Sequence, residues 1–584
     1  MAADEIRKRK KSTPGEQAMM RPRHVDLRAQ QHLLEAGLNP VLARVYAARG
    51  VVSKDAIEPG LGELLRPEGM RDIHKAAALL MEHIETQRKI LVVADYDCDG
   101  ATACAVAVRG LRMMGARVDY LVPNRKVHGY GLSPDIVDLA LQHPRLGRPD
   151  LLVTVDNGIA SHEGVDAANR AGIPVLVTDH HLAGERLPDA AAILNPNRSD
   201  CGFASKNLAG VGVMFYLLIA LRRLYRERKA HAAAAQAPLQ QLLDLVALGT
   251  VADMVQLDAN NRALVRAGLQ RLRQAKGQAG VRALAAVAGK HLAELAVGDL
   301  GFAIAPRINA AGRLEDISLG IECLLTDEFA TAEDLARKLD GINRQRRDLQ
   351  SEMHAQALAA LPETASLGAA LVVFEESWHE GVVGLLASGL KERVHRPVLA
   401  LAPSADPEVL RGSGRSIDGL HLRDALDWVS KRDPAVLLRF GGHAMAAGFS
   451  IRRSQLERLR ELFSQAVEAM ADPEALQPVI WTDGPFEAAW LREDWVRSLQ
   501  DAIWGQGFPG PLFQNTFEVL GQRAVGERHL RANLRSETGM RLEAMAFRRE
   551  KPLEARIRAA YRMRINRWQG KVTLQGELEH VEAC

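Results

Sequence analysis

Residues 90–100 read ILVVADYDCDG, an apolar run that ends abruptly in three aspartates, Asp95, Asp97 and Asp99. Three further apolar runs follow and are separated by helical patterns: RVDYLV at 117–122, DLLVTVD at 150–156 and IPVLVTD at 173–179. Strands that are apolar on both faces and alternate with amphipathic helices are typical of a parallel sheet covered on both sides. This stretch therefore predicts an α/β domain.

The rest of the 584 residues predicts several more domains, since a domain usually spans about 100 to 200 residues. Helical pattern dominates from 208 to 361 and ends in a long connecting helix over 328–361. Five short strand-like runs near the C-terminus fit a barrel of the OB type, and they lie near 514–524, 528–535, 539–547, 555–567 and 571–581. We predict a lead-in with a basic tail at 1–75, the α/β domain at 76–270, a helical connector at 271–365, a second α/β domain at 366–470 and the all-β barrel at 471–584.

Composition excludes several classes of protein. Hydrophobic residues make up 47% of the chain and charged residues 25%, as in ordinary globular proteins, so a disordered or fibrous chain is excluded. The longest apolar run, 211–221, is too short for a membrane span, which needs about 20 residues. The N-terminus lacks the apolar stretch of a secretory signal, and no CxxC pair indicates a zinc site. We expect a cytoplasmic protein.

Positive charge is concentrated near the C-terminus. Residues 521–576 contain 14 lysines and arginines against five aspartates and glutamates. The segment RIRAAYRMRINRW spaces Arg556, Arg558, Arg562 and Arg564 evenly, so a strand would carry them on one face. Such a stripe predicts a grip on the phosphates of single-stranded DNA, with Arg558 and Arg562 as contacts. A solubilising face on a structural barrel is the alternative. The basic run 7–11 is interpreted as a solvated tail, with a nucleic-acid role as the alternative.

Acidic residues and histidines follow the predicted strands. Besides the three aspartates after the first run, Asp156 follows a later strand, and Asp179, His180 and His181 follow another; Asp253 ends an apolar helical run. The ligand crevice of a parallel sheet lies at the carboxyl ends of its strands, so these side chains are expected to converge. One such aspartate alone would be interpreted as a turn or a helix cap.

Facing carboxylates repel one another unless cations lie between them. Oxygen ligands with imidazole suit Mg²⁺ or Mn²⁺, and bridging carboxylates favour two ions about 3.5 to 4 Å apart. Such a pair activates water and stabilises a leaving oxygen in phosphoester hydrolysis. The sequence contains no GxxxxGK[ST] motif, so nucleotide hydrolysis of the P-loop type is excluded.

Two glycine-rich strings predict a phosphate cradle. GSGRS at 412–416 and GGHAMAAG at 441–448 combine glycines, which let backbone N–H groups approach an anion, with polar donors. The candidate contacts are Ser413, Arg415, Ser416, Gly441, Gly442 and His443. For either string alone, a tight structural turn is an equally good interpretation.

Taken in order along the chain, DYDCDG, VDNG, DHH and the ALGTVADMV aspartate resemble the DHH phosphoesterase superfamily. The strings HGYGLSP (128–134), APRINAAGR (305–313), SWHEGVVG (377–384), GSGRS and GGHAMAAG narrow the resemblance to the RecJ family of single-strand-specific 5′ exonucleases. Together these motifs are highly specific, whereas the DHH tripeptide alone would mean nothing. They cover about residues 75–470, and the remainder matches by architecture.

The resemblance implies a DHH domain and a DHHA1 domain joined by a long helix, with an appended OB domain. It implies hydrolysis of single-stranded DNA from the 5′ end to 5′ mononucleotides, in DNA repair and recombination, with two Mn²⁺ or Mg²⁺ ions. The implied metal ligands are Asp97, Asp99, Asp156, His180 and Asp253, with Asp95 as an additional carboxylate and His181 at the scissile phosphate. Arg125, Arg307 and Arg313 would reach the same anion.

The family also implies a monomer that works with single-strand-binding protein and a helicase. Two other functions remain open at this stage. An oligonucleotide or cyclic-dinucleotide phosphodiesterase shares the DHH and DHHA1 domains but usually lacks the basic barrel. A replication scaffold of the Cdc45 type shares the fold without catalysis, but the complete set of ligands here argues against it.

Overall fold

The computed structural model describes residues 18–57, 59–123, 131–229, 231–361, 368–526, 529–549, 551–568 and 571–584. The chain divides into two compact units. The first unit comprises residues 51–344 and 501–510, and the second comprises residues up to 50, 345–500 and 511–584. Within the described ranges, no helix has both the length and the apolar character that a membrane span requires.

The strands, numbered in chain order, are β1 Met19–Pro22, β2 Lys89–Ala94, β3 Arg117–Leu121, β4 Leu151–Val155, β5 Val175–Thr178, β6 Ala192–Leu194, β7 Leu371–Phe374, β8 Val398–Pro403, β9 Val409–Arg415, β10 Arg439–Gly442, β11 Ala446–Arg452, β12 Val479–Thr482, β13 Phe513–Val525, β14 His529–Ser536, β15 Arg541–Phe547, β16 Arg556–Trp568 and β17 Lys571–Ala583. The α-helices of at least eight residues are Leu27–Glu35, Pro40–Ala47, Ile73–Glu85, Cys98–Met113, Pro134–Leu141, His162–Arg170, Gly210–Glu227, Leu243–Ala252, Ala259–Arg273, Ala279–Val287, Ala305–Leu314, Ser318–Leu325, Phe329–Ala360, Val383–Val394, Leu422–Arg432, Leu456–Met470 and Glu493–Asp501.

The first unit is built on a parallel sheet of strand order β3-β2-β4-β5-β6. Every residue of β4 and β5 is buried, as is every residue of β2 after Lys89. This burial on both faces explains the continuous apolar runs in the sequence. The predicted α/β domain is confirmed. The strand β6 was not predicted, because three residues are too few to show a strand pattern in the sequence.

The strand order creates a switch point between β2 and β4. After β2 the chain crosses to β3 on one side, and it then returns to place β4 on the other side of β2. Connections that leave in opposite directions open a crevice at the carboxyl ends of the two strands, where α/β proteins bind their ligands. Asp95 and Asp156 directly follow these two strands. The fold therefore places the acidic segments at its natural binding crevice.

The long connecting helix is also confirmed. It runs from Phe329 to Ala360, against the predicted 328–361, and contains 32 residues. At about 1.5 Å per residue this corresponds to about 50 Å. The boundary between the two compact units falls inside it, between Arg344 and Gln345.

The second unit contains a mixed sheet and a closed barrel. The sheet has the order β10-β11-β9-β8-β7, in which β7 and β8 are parallel and the other pairs are antiparallel. The barrel has the order β13-β14-β15-β17-β16, and its five strands lie within a few residues of the predicted runs. The fold class predicted from the sequence is thus confirmed for this unit too.

Asp244 in the first unit is a buried carboxylate outside the acidic crevice. Its Oδ2 accepts a hydrogen bond of 2.6 Å from the backbone N–H of Gln278, while its Oδ1 has no hydrogen-bond partner among the described residues. Burial raises the pKa of Asp244 from 3.8 to about 6. The folded protein therefore keeps a proton that the unfolded chain releases, so stability falls as the pH rises from about 4 to 6, by about 3 kcal/mol in total.

We expect the substitution Asp244→Asn to remove this loss, because asparagine can accept the same hydrogen bond without a charge. The thermal midpoint of the variant should exceed that of the wild type by an amount that grows between pH 4 and 6 and then stays constant. Differential scanning calorimetry across pH 4 to 7 measures it. A difference that does not change with pH would contradict the assignment.

Candidate active site

The loop after β2 delivers three carboxylates whose orientation is fixed by backbone donors. Asp97 is the N-cap of the helix Cys98–Met113, where its side chain accepts the N–H of Gly100 at 3.0 Å. Asp99, 1% exposed, accepts the N–H groups of Gly210 and Val211 at 2.6 and 3.0 Å. Those donors belong to the first turn of the helix Gly210–Glu227. A helix N-terminus stabilises negative charge, so this contact holds Asp99 in place.

His180 lies among three of the predicted carboxylates. Its Nε2 is 3.1 Å from Asp156 Oδ1, 3.6 Å from Asp253 Oδ2 and 4.0 Å from Asp99 Oδ2. Asp156 has a left-handed backbone with φ of 62°, and Asp253 ends the helix Leu243–Ala252. Side chains from four separate segments thus meet at one point, as the sequence predicted.

The surroundings of this cluster disfavour the charged form of its carboxylates. Burial, and next the neighbouring carboxylates, raise the pKa of Asp95, Asp156 and Asp253 well above the ordinary value. The same causes raise the pKa of Asp99 to about 7, despite its backbone donors. Buried like charges are costly unless a cation compensates them. The cluster therefore has the electrostatic character of a cation site.

Three overlapping groups of side chains have donor atoms within 4.8 Å of one another: Asp95, Asp97 and Asp156; Asp99, His180 and Asp253; and Asp156, His180 and His181. Oxygen donors with imidazole nitrogen fit Mn²⁺ or Mg²⁺. Asp156 and His180 each occur in two groups, so neighbouring ions could share ligands. All predicted ligands and Asp95 are brought together here.

His181 is oriented by Asp179. Its Nδ1 lies 2.7 Å from Asp179 Oδ1, and Asp179 is 1% exposed. Burial disfavours the charged imidazole, but the hydrogen bond to Asp179 and the nearby carboxylates outweigh it and raise the pKa of His181 to about 9. The bond to Asp179 therefore fixes the orientation of the ring and favours its charged form. The sequence contained Asp179 in its DHH string but did not identify it as the residue that holds His181.

The helix Ala305–Leu314, which carries the APRINAAGR string, contacts the acidic loop, the segment 95–99 that follows β2. Asn309 Oδ1 accepts the N–H of Cys98 at 2.8 Å. A β-carbon placed on Gly312 would lie 2.0 Å from the carbonyl oxygen of Tyr96, so only glycine permits this approach. Neither residue was among the predicted site residues, although both stand in the motif that carried the family resemblance.

The predicted arginine contacts have different surroundings. Arg307 is buried and pairs with Asp340 at 2.8 Å, and it also donates to the carbonyl of Ala303. Arg313 lies half-buried in the last turn of its helix. Arg125 lies outside the described residues, as do the first three residues of the HGYGLSP string.

In the second unit, Ser413 and Arg415 form a polar pair beside a helix. Arg415 Nη1 lies 3.0 Å from Ser413 Oγ and 2.8 Å from the carbonyl of Gly414. A β-carbon on Gly384 would lie 3.0 Å from Ser413 Oγ and 3.2 Å from Arg415 Nη2. Gly384 is in the first turn of the helix Val383–Val394, whose N-terminus has no side-chain cap. Hydroxyl, guanidinium and uncapped N–H groups at one place are suited to an anion.

The other predicted cradle residues are more varied. Ser416 is 1% exposed, and its hydroxyl donates to the carbonyl of Leu420 at 2.8 Å within a turn. Gly441, Gly442 and His443 lie at the hairpin between β10 and β11, where Gly442 has φ of 144°. The side chain of His443 is exposed. The structure thus keeps Ser413 and Arg415 together and gives Ser416 a structural contact.

Most arginines of the predicted barrel stripe are in ion pairs. Arg562 pairs with Glu579, Arg564 with Glu577 at 2.9 Å, and Arg556 with Glu537 at 2.5 Å. Arg558 alone of the four has no ion pair within the described part of the chain. The basic segment 521–576 ends one residue before Glu577, so its net charge leaves out two of these partners, Glu577 and Glu579. The stripe is less positive than the sequence suggested.

Comparison with known proteins agrees with this geometry. Residues 89–250 match the DHH family N-terminal domain, residues 367–469 the DHHA1 domain, and residues 482–580 the RecJ OB domain. The chain is 46% identical to the single-stranded-DNA-specific exonuclease RecJ of Dickeya dadantii, over 94% of this chain and 97% of that protein.

Solved structures show the same likeness. The crystal structure of RecJ in complex with Mn²⁺ from Thermus thermophilus matches with a TM-score of 0.82 and 28% identity, over 97% of this chain and 80% of that chain. The Mg²⁺ complex from the same organism matches with a TM-score of 0.77 and 27% identity, over 97% and 79%.

Proposed function

This chain belongs to the RecJ family of single-stranded-DNA-specific exonucleases, and we propose that it removes 5′ mononucleotides one at a time from the 5′ ends of single strands. It is an enzyme, a phosphodiester hydrolase that acts on single-stranded DNA with Mn²⁺ or Mg²⁺. The observation that carries the proposal is the convergence of the five predicted metal ligands and Asp95 at one crevice of the sheet.

Two ions would be held by two of the three groups, one by Asp95, Asp97 and Asp156 and the other by Asp99, His180 and Asp253. When bound, such ions supply an activated water and a Lewis acid for the phosphoryl oxygens. The carboxylates would bind and orient these ions. Backbone N–H groups that donate to Asp97 and Asp99 fix the orientation of those two side chains. The bond that breaks joins the 3′ oxygen of the first nucleotide to phosphorus, so the shortened strand keeps a new 5′ phosphate.

His181 would act on the scissile phosphate. With Nδ1 held by Asp179, a proton on Nε2 would let the ring donate a hydrogen bond to a phosphate oxygen and offset the charge that develops in the transition state. Incubation of 5′-labelled and 3′-labelled single strands with Mn²⁺ tests the whole proposal. Release of labelled mononucleotide from 5′-labelled strands at the earliest times supports it, and equal rates from both ends would contradict the polarity.

The pair Ser413 and Arg415 is proposed as the contact for the terminal 5′ phosphate. A charge-assisted hydrogen bond contributes about 1.5 to 3 kcal/mol, so Arg415→Ala should slow cleavage of 5′-phosphorylated strands about tenfold to hundredfold. The matched control is Arg411→Ala on the same strand, because Arg411 is exposed and pairs with Glu380. The advantage of 5′-phosphate over 5′-hydroxyl substrates should disappear in Arg415→Ala. If that advantage persists, the assignment is wrong.

The barrel is proposed to bind the single strand through its backbone, and Arg558 is its best-placed predicted contact. We expect Arg558→Ala to weaken binding of long single strands and to reduce the salt slope by about 0.7. Arg564→Ala, which removes an arginine already paired with Glu577, should have less effect. Fluorescence anisotropy at several salt concentrations measures both. Unchanged affinity and slope for Arg558→Ala would leave this residue without a DNA role.

Point substitutions are preferable to deletion of the barrel after Asp472. Deletion would remove Asp483, which forms a buried ion pair of 2.6 Å with Arg49. A buried charge left without its partner costs about 3 to 5 kcal/mol, so the truncated protein would be destabilised for reasons unrelated to DNA. A cytoplasmic location, a monomeric state and partnership with single-strand-binding protein and a helicase stay predictions.

A further inference from the structure

Phe302 is the most exposed large apolar side chain among the described residues, with 86% of its surface open to solvent. It lies in a five-residue π-helical turn, Leu300–Ile304, whose two end residues are buried. Such turns are rare and occur frequently at functional sites. The turn fixes the backbone on both sides of Phe302 while its ring contributes nothing to the core. The ring is therefore available to a ligand.

The π-helical turn packs close to the metal-ligand cluster, which comprises the five predicted ligands and Asp95. A β-carbon on Gly301 would lie 3.2 Å from Val251 Cγ1, and Val251 stands two residues before Asp253. The turn continues directly into the helix Ala305–Leu314, where Asn309 contacts the acidic loop. Both ends of this segment thus rest on elements that carry metal ligands. Phe302 therefore lies in a segment that contacts these two elements on both of its sides.

Two other exposed apolar residues directly follow candidate ligands. Leu182 comes after His181 and is 63% exposed, and Met254 comes after Asp253 and is 61% exposed. Met254 has a left-handed backbone, with φ of 61°, which non-glycine residues seldom adopt. Two apolar side chains are therefore open to solvent directly after candidate ligands of this cluster.

We propose that Phe302 stacks on a nucleobase of the single strand whose phosphate lies at the metal-ligand cluster. The inference rests on the proposed function and adds to it a positioning residue that also contributes to specificity. Every base has a π-face, so stacking on an aromatic ring binds single strands without sequence preference. Inside a duplex both faces of a base are covered by its neighbours, so an internal base must unstack before it can make the same contact. Phe302 would thus help to exclude double strands.

The test compares Phe302→Ala and Phe302→Tyr with the wild type on single strands of defined length. Stacking of a base is worth about 1 to 3 kcal/mol, so we expect Phe302→Ala to raise KM about tenfold while kcat changes little. Phe302→Tyr, which keeps the ring, should restore the wild-type KM. A series of substrates with one abasic nucleotide at successive positions locates the contact. At one position, loss of the base should weaken wild-type binding about tenfold and leave Phe302→Ala unaffected.

Phe329→Ala is the matched control, because Phe329 is a 41% exposed phenylalanine of the same unit whose ring lies 5.2 Å from the Arg282 guanidinium carbon. It should keep the wild-type KM and the wild-type response to every abasic substrate. If wild type and Phe302→Ala respond alike at all positions, or if Phe302→Tyr fails to restore KM, the stacking role is wrong. An inactive wild-type protein would instead refute the proposed function, so the two failures can be told apart.

Discussion

Replacing Asp156 by asparagine is expected to abolish hydrolysis of single-stranded DNA and, at the same time, to raise the thermal stability of the metal-free protein. Mutation of a residue that only orients a metal ligand usually lowers metal affinity or activity about 10- to 100-fold. Loss of a ligand shared by two ions should therefore lower activity more than about 100-fold. Asparagine is preferable to alanine because it tolerates the left-handed backbone at this position.

The stability gain follows from the electrostatics of the cluster. Burial and next the neighbouring carboxylates raise the pKa of Asp156, so without a cation the folded state becomes less stable as the pH rises above about 4. Removing one carboxylate relieves this penalty, and the difference between variant and wild type should widen with increasing pH. Added Mn²⁺ should stabilise the wild type more than the variant.

Nuclease assays with and without EDTA, together with thermal unfolding at several Mn²⁺ concentrations, check both expectations. His180→Ala and Asp97→Ala should likewise be inactive. Asp334→Asn is the matched control, because its side chain is 72% exposed on the long helix and should change neither property. Full activity of wild type in EDTA, or of Asp156→Asn in Mn²⁺, would exclude the metal mechanism.

The second large effect is expected for Gly312→Ala, which adds one methyl group to the helix Ala305–Leu314. That methyl would lie 2.0 Å from the carbonyl oxygen of Tyr96, a backbone atom with little freedom to move. Either the helix Ala305–Leu314 or the acidic loop must shift. A shift of the loop would also displace Asp95 and Asp97. A displacement of about 1 Å at a catalytic centre can cost about 100-fold in rate.

Steady-state kinetics of Gly312→Ala should show a fall in kcat of at least about 100-fold. Circular dichroism should remain close to that of the wild type, because the rest of both units is untouched. Gly341→Ala supplies the control, since a β-carbon at that exposed position of the long helix has nothing within 4 Å. A Gly312→Ala protein with more than half of the wild-type kcat would show that the close approach does not position the loop.

Much of this protein can be predicted from local sequence pattern. Both α/β domains, the long helix and the five-stranded barrel follow from apolar periodicity, which depends only on residues near one another in the chain. The candidate ligands also follow, because a carboxylate at the end of a buried strand of a parallel sheet must point to the same edge as the others. In the structure, Asp156 and His180 follow β4 and β5 and meet as that rule requires, whereas Asp253 joins them from the end of a helix.

Contacts between distant segments were decided only by the tertiary structure. The order β3-β2-β4-β5-β6 opens the crevice between β2 and β4, and no local pattern encodes which strands become neighbours. The same holds for Asn309 and Gly312 against the acidic loop, and for the glutamates that pair with Arg562 and Arg564. A charge or a glycine in a sequence shows what contact is possible. Which partner it meets depends on the packing of the whole unit, because that packing alone fixes distances between residues far apart in the chain.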